Sequence, residues 1–265
     1  MQAAETARST GRPTNDLTAY DLYLRAFSML AASYRHTPEA LSLIEQAIAR
    51  DPRYGPALGW AAVCYQLLVA GGRSADPGAD HRRGVDFARR ALEVAGDDPA
   101  VLANAAVALA WFGEDIGALI AVIDRALVLN PSFARGWRIS GMLRNWAGQP
   151  DIAIAHSETS LRLNPRTQVG PLYFNIGIAH LLGRRFDEAV PQLLLAIQEG
   201  PNEPARYRWL ASCYAHMGCL DEARAIVAKL RAITPEVMPS GLPFRNPEHR
   251  ELLLSGLRLA AGEER

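Results

Sequence analysis

The stretch Ala126-Leu-Val-Leu-Asn-Pro131 closes a helix, and a near copy, Leu161-Arg-Leu-Asn-Pro165, closes another. Related endings stand at 49–52 (Ala-Arg-Asp-Pro), 96–99 (Gly-Asp-Asp-Pro), 198–201 (Gln-Glu-Gly-Pro) and 232–235 (Ala-Ile-Thr-Pro). From Pro131 to Pro165 is 34 residues, from Pro165 to Pro201 is 36, and from Pro201 to Pro235 is 34. Proline lacks an amide hydrogen and disfavours helix in the residue before it, so each one stops a helix and can open the next. A near-constant period of this size marks stacked supersecondary units, each of which buries its apolar face on its neighbours.

Inside the period, small and large residues recur at fixed places. The unit from Ala134 carries Trp137, Gly141, Ala153 and Pro165, with Ser157 and Ser160 where an apolar pair would stand. The unit from Gly170 carries Tyr173, Ile176, Gly177, Ala189, Leu193, Ala196 and Pro201. The unit from Pro204 carries Tyr207, Leu210, Ala211, Tyr214, Ala223, Val227, Leu230 and Pro235. Small residues such as Gly141, Gly177 and Ala211 let two helices approach, and their large neighbours fill the remaining volume. An aromatic–small–aromatic first helix followed by an Ala–large–Ala second helix and a proline resembles the tetratricopeptide (TPR) repeat. The resemblance implies an all-α fold, a TPR-type α-solenoid.

Working outward, three weaker units precede these. Residues 16–34 and 38–50 form a first pair, with Ala40, Ile44 and Ala47 before Pro52. Residues 53–70 and 80–95 form a second, split by a Gly-, Pro- and Asp-rich insertion at 71–80 that reads as a loop. Residues 99–112 and 115–129 form a third, with Ile123 and Ala126. That makes about six antiparallel helix pairs over 15–235. Beyond Pro235 the period stops. Pro239, Gly241 and Pro243 predict an extended or turned linker, and 247–260 predicts a terminal helix, so 236–265 reads as linker plus C-terminal cap. Residues 1–14 are expected to be disordered.

Charge and composition narrow the function classes. The 28 basic and 28 acidic side chains cancel, and no long basic tract exists, which argues against a nucleic-acid partner. Three cysteines, Cys64, Cys213 and Cys219, do not make a disulfide framework and fit a reducing compartment. Residues 1–17 lack the apolar core of a signal peptide. The uncharged stretch 54–72 is interrupted by Gly55, Pro56, Gly59, Gln66, Gly71 and Gly72, so it reads as a buried helix rather than a membrane insertion. The expectation is a cytoplasmic chain.

The sequence carries little that points to chemistry. It has no G-x-G-x-x-G, phosphate loop, H-E-x-x-H or G-x-S-x-G. Cys213-x-x-His216-x-x-Cys219 lacks the fourth ligand of a structural zinc site, so it reads as core thiols and a histidine near a turn. Glu114-Asp115 and Asp221-Glu222 sit at starts of second helices, where the helix dipole favours them. No catalytic residue, metal or cofactor is expected.

Two further segments, 15–26 (Asn-Asp-Leu-Thr-Ala-Tyr-Asp-Leu-Tyr-Leu-Arg-Ala) and 242–257 (Leu-Pro-Phe-Arg-Asn-Pro-Glu-His-Arg-Glu-Leu-Leu-Leu-Ser-Gly-Leu), together with the long loop in the second pair, resemble the C-terminal TPR region of bacterial class III adenylate/guanylate cyclase-like proteins. A similar region follows winged-helix domains in some bacterial regulators. The resemblance implies a non-catalytic regulatory or oligomerising arm, the effector-sensing arm of such a regulator, or a stand-alone adaptor. By the same resemblance, the first helices line a groove whose exposed positions here are Asn104, Trp111, Arg135, Arg138, Met142, Asn145, Phe174, Ile178, Arg208 and Ser212. Arg135 and Arg138 are three apart on one helix and can point the same way. That mix of arginine, aromatic and methionine suits a protein or peptide partner, acidic or C-terminal, with a homodimer as the other open reading. Arginines that are solvated or paired with local carboxylates remain an open alternative.

Overall fold

Helices start where an oxygen can satisfy the first free amides. The carboxylates of Asp16, Asp98 and Asp115 each accept from first-turn amides of the helix that follows, at 2.7–3.1 Å. Prolines in the first turn add a fixed φ at a place where no amide hydrogen is needed. The computed structural model describes residues 16–165, 169–239 and 241–262. The expected disorder of 1–14 lies outside them. Among the described residues no strand occurs, and the chain divides into two compact units, one ending at Ser132 and the other starting at Phe133.

The first unit holds three helix pairs. They are α1 (Leu17–Ala32) with α2 (Thr37–Arg50), α3 (Gly55–Ala70) with α4 (Pro77–Ala95), and α5 (Pro99–Trp111) with α6 (Ile116–Leu129). Each helix packs on its pair mate, and α3 and α5 also pack on the preceding second helix and on each other. Enclosure from several sides explains their sequences. Helix α3 buries Gly55 to Gln66 without a break, and α5 buries Val101 to Ala110. A helix that is apolar all round is a core helix in such a stack. Helix α4 covers only one side and buries Gly84, Ala88 and Ala91, a single narrow stripe. Fully buried Ile44, Leu58 and Ile123 each contribute about 1.5–3 kcal/mol by leaving water.

The loop expected at 71–80 is shorter. Helix α4 begins at Pro77, with Asp76 accepting from the Ala79 amide at 2.9 Å and Ser74 donating to Asp80 at 2.6 Å. The Asp-Pro dipeptide is itself a helix start, and this outweighs the loop-forming tendency of Gly78.

The second unit repeats the plan with α7 (Ala134–Ala147) and α8 (Pro150–Leu163), α9 (Gly170–Leu182) and α10 (Phe186–Glu199), and α11 (Pro204–His216) and α12 (Leu220–Ile233). A last helix, α13 (Pro247–Ala261), follows the linker. Gly177 shows why a small residue is required in a first helix: a Cβ there would stand 2.7 Å from Leu193 Cγ. Ser157 and Ser160, which replace apolar residues in α8, are both buried and both bonded. Ser160 donates to the Ala134 carbonyl at 2.8 Å, and Ser157 accepts from Asn175 at 3.3 Å. Between α7 and α8 the core is therefore partly a satisfied polar network rather than a gap.

Candidate protein-interaction face

In the second unit the first helices α7, α9 and α11 lie side by side. Asn145 and Asn175 link α7 to α9. The Asn145 amide donates to the Asn175 backbone carbonyl at 2.9 Å and to its side-chain oxygen at 3.2 Å. The Asn175 amide in turn reaches the Arg138 carbonyl at 3.4 Å. These bonds fix the register of neighbouring first helices inside a buried, low-dielectric seam.

The terminal segment is seated on this face. In the ordinary order of the unit, each new first helix packs chiefly on the preceding second helix: α9 on α8, and α11 on α10. Helix α13 reverses that order, packing chiefly on α11 and only lightly on α12. The linker leading to it is held by its backbone. Arg208 donates to the carbonyls of Val237 at 2.9 Å and Glu236 at 2.7 Å. Phe244 is 3% exposed and its ring meets Trp209 at 5.3 Å between centroids. The Arg245 amide then donates to the Trp146 carbonyl at the end of α7, at 2.8 Å. Asn246 caps α13 through the Glu248 amide at 2.9 Å, and His249 stands against Gly148. The helix returns along α11, where Ser212 and His216 Nε2 both donate to the Leu252 carbonyl, at 3.3 and 2.7 Å.

The electrostatics follow from burial. Desolvation lowers the Arg208 guanidinium below its usual value, and the Glu236 carboxylate opposes this. Desolvation likewise lowers the His249 imidazole, with Glu248 opposing. Its Nδ1 is buried and has no hydrogen-bond partner.

The ten residues expected to line a groove have divided fates. On α5, in the first unit, Asn104 is buried and Trp111 half-buried. On α7, Arg135, Arg138 and Met142 are half-buried, whereas Asn145 is buried in the bond to α9. On α9, Phe174 is half-buried and Ile178 is buried. On α11, Arg208 and Ser212 are brought together with the terminal segment, Arg208 half-buried and Ser212 buried. The expectation of exposure is thus corrected for Asn104, Asn145, Ile178 and Ser212. Asn104 lies against Gly59 of α3, Asn145 against α9, and Ser212 against the terminal segment.

Sequence reasoning missed the role of Trp146, Trp209 and His216, which hold the segment, and of Phe244 and Leu252 within it. Phe244 and Leu252 both lie in 242–257, but nothing in the repeat period says which face a residue after the last repeat will meet. His216, considered with Cys213 and Cys219, is turned to Leu252 and stacked on Phe186 at 5.4 Å. Burial pushes the Cys213 thiol up to about 12. Among the described residues no group of three or more His, Cys, Asp or Glu is placed to hold a metal ion.

A separate shallow cleft in the first unit is lined by Glu45, Tyr65, Arg82, Arg83, Asp86 and Phe87. Its polar groups largely satisfy one another: Tyr65 donates to Glu45 at 2.6 Å, and Arg83 donates to the Tyr65 oxygen at 3.5 Å.

No protein-family model matches the sequence, and no curated protein sequence matches it. Solved structures match in fold. Human IFIT1, solved as a dimer with m7Gppp-AAAA, aligns over 83% of this chain and 51% of its own, with TM-score 0.69 and 17% identity. PilW, a widely conserved type IV pilus biogenesis factor, aligns over 90% of this chain and 99% of its own, with TM-score 0.61 and 18% identity. A tetratricopeptide repeat protein from Parabacteroides merdae ATCC 43184 aligns over 94% and 88%, with TM-score 0.54 and 16% identity. Identities this low speak to fold alone. With the helix pairs, their period and their packing, they establish an all-α fold of the tetratricopeptide type.

Proposed function

We propose that this chain is a non-catalytic protein-interaction module that holds a peptide segment of a partner on the face made by α7, α9 and α11. One observation carries the reading: that face already holds a stretch of polypeptide through bonds to its backbone. Main-chain bonds that give affinity, with side-chain pockets that give specificity, are the usual terms of peptide recognition. On α7, the helix whose Trp146 carbonyl accepts from the segment, the half-buried Arg135, Arg138 and Met142 follow one another at helical spacing. Two guanidinium groups with a methionine suit an acidic peptide or a C-terminal carboxylate.

Two of the three thiols are tied up in the fold, which supports a non-catalytic role. The Cys64 and Cys213 thiols are buried and pushed up to about 12, far from the thiolate a nucleophile needs. Cysteines that remain unbridged support a cytoplasmic setting, and none of the described helices is long and apolar enough to cross a membrane. The finer assignment, a regulatory or oligomerising arm of a cyclase-like signalling protein, rests on the resemblance over 15–26 and 242–257. The second of these stretches lies in the seated segment.

The test is fluorescence polarisation of full-length chain against acidic peptides with free or amidated C-termini. The Arg135→Glu, Arg138→Glu double variant is expected to lose at least about tenfold in affinity, the scale of one charge-assisted bond. Unchanged affinity in a folded variant, or no binding by the native chain, would overturn the reading.

A further inference from the structure

We infer that the terminal segment (236–239 and 241–261) is a tethered ligand: it occupies the α7–α9–α11 face in cis and gives way to a partner protein's segment of the same chemistry. The inference rests on the interaction-module reading and names both the occupant and the kind of partner.

The packing order is the first reason. A helix that merely covered the open end of a stack would continue it and lie chiefly on the last second helix, α12. Helix α13 lies instead on α11, the surface a bound partner would use. The second reason is the nature of the contacts. Arg208, Ser212 and His216 donate to backbone carbonyls of the segment, and the Trp146 carbonyl accepts from its backbone amide. Such contacts read a chain's course. The Phe244 ring against Trp209 supplies the buried aromatic anchor that dominates such interfaces. The segment also keeps its own shape, since Arg250 Nε donates to the Phe244 carbonyl at 2.6 Å. A preformed ligand loses less entropy on docking.

The third reason is that the docked state is imperfect and its tether exposed. His249 Nδ1 is buried without a partner, which weakens docking relative to an ideal fit. Gly241 is exposed, and a Cβ built on it would meet nothing within 4 Å. The partner chemistry follows from the occupant. It is an extended, proline-bounded stretch with one aromatic residue, leading through an Asn-Pro cap into a short helix. That helix buries a stripe like Leu252, Leu253, Leu257 and Ala260, with a small residue where Gly256 meets Ser212.

The probe is a fluorescein-labelled synthetic peptide of residues 236–262, titrated into full-length chain. A short tether gives an effective concentration of order millimolar, so the cis occupant should weaken trans binding by roughly 10²–10⁴-fold. Phe244→Ala in the chain is expected to tighten peptide binding at least about tenfold over the native chain, and Trp209→Ala to abolish it. Because Phe244→Ala could fail to fold, a second form carries a protease site inserted at Gly241 and is cut after folding. The cut chain is expected to exchange the fragment released beyond Gly241 for a labelled peptide of residues 242–262 while keeping its helical circular dichroism. No exchange, or loss of helicity as the fragment leaves, would show that α13 is an integral part of the core and overturn the inference. If exchange fails while acidic peptides still bind through Arg135 and Arg138, only this inference falls. If neither binds, the interaction-module reading falls with it.

Discussion

Gly256→Ala should loosen α13 from α11 while leaving the rest of the second unit folded. A Cβ at Gly256 would stand 2.1 Å from Ser212 Oγ, 2.9 Å from His216 Nε2 and 2.9 Å from Ser212 Cα. The hydroxyl and the imidazole can turn aside. The Cα cannot, so the helix must retreat by 3.4 − 2.9 = 0.5 Å to reach ordinary contact. The same movement stretches the 3.3 Å bond from Ser212 to the Leu252 carbonyl beyond hydrogen-bonding range. Overpacking of this kind costs about 1–3 kcal/mol. Replacing glycine in a helix returns up to about 1 kcal/mol. The net loss of about 1–2 kcal/mol raises the undocked population roughly 5- to 30-fold. Hydrogen–deuterium exchange on the full chain reads this directly as faster exchange over 247–262. Gly117→Ala serves as control, because its Cβ would meet only Asp115 Oδ1, at 3.4 Å. Unchanged or stronger protection of α13 in Gly256→Ala would refute the close approach on which its seat is argued.

Other expectations follow from the same contacts. Asn175→Ala removes the bonds to Ser157 and the Arg138 carbonyl and one of the two acceptors of the Asn145 amide, leaving its bond to the backbone carbonyl of residue 175. It should cost about 2–3 kcal/mol in urea unfolding, against about 1 kcal/mol for Ser160→Ala. Asp98→Ala removes a buried cap that accepts from Ala100 and Val101, and should lower stability by about 1 kcal/mol on the same assay. Alkali should destabilise the protein. Burial pushes the Cys64 and Cys213 thiols from their ordinary 9.0 up to about 12 in the folded chain. Their contribution is therefore complete below pH 9 and declines as pH rises towards 12, at up to about 1.4 kcal/mol per pH unit for each thiol. A Cys64→Ala, Cys213→Ala variant should show a flatter urea midpoint between pH 9 and 10, and an unchanged profile would contradict the burial argument. In the native chain at pH 8, Cys219 alone should react promptly with a thiol reagent, because it alone of the three is not buried.

What the sequence determined by itself is the local and periodic part. Prolines at 131, 165, 201 and 235, caps such as Asp98 and Asp115, and rows such as Ala189, Leu193 and Ala196 act over one or two helical turns. Neighbouring repeats then dock by repeating the same contact, so helix boundaries and pair order are legible from spacing. The error at 71–80 belongs to this same local level, where Asp76-Pro77 outweighed its glycine neighbours. Tertiary structure decided everything that a non-repeating contact controls. Serines 157 and 160 look like flaws in a repeat until Asn175 and the Ala134 carbonyl stand opposite them. Arg208 and Ser212 look free until the linker and α13 arrive. The physical reason is that periodicity encodes which side of a helix is apolar, whereas the side on which a last, unrepeated helix docks depends on contacts among residues 28 to 99 positions apart. Such pairs leave no pattern along the chain.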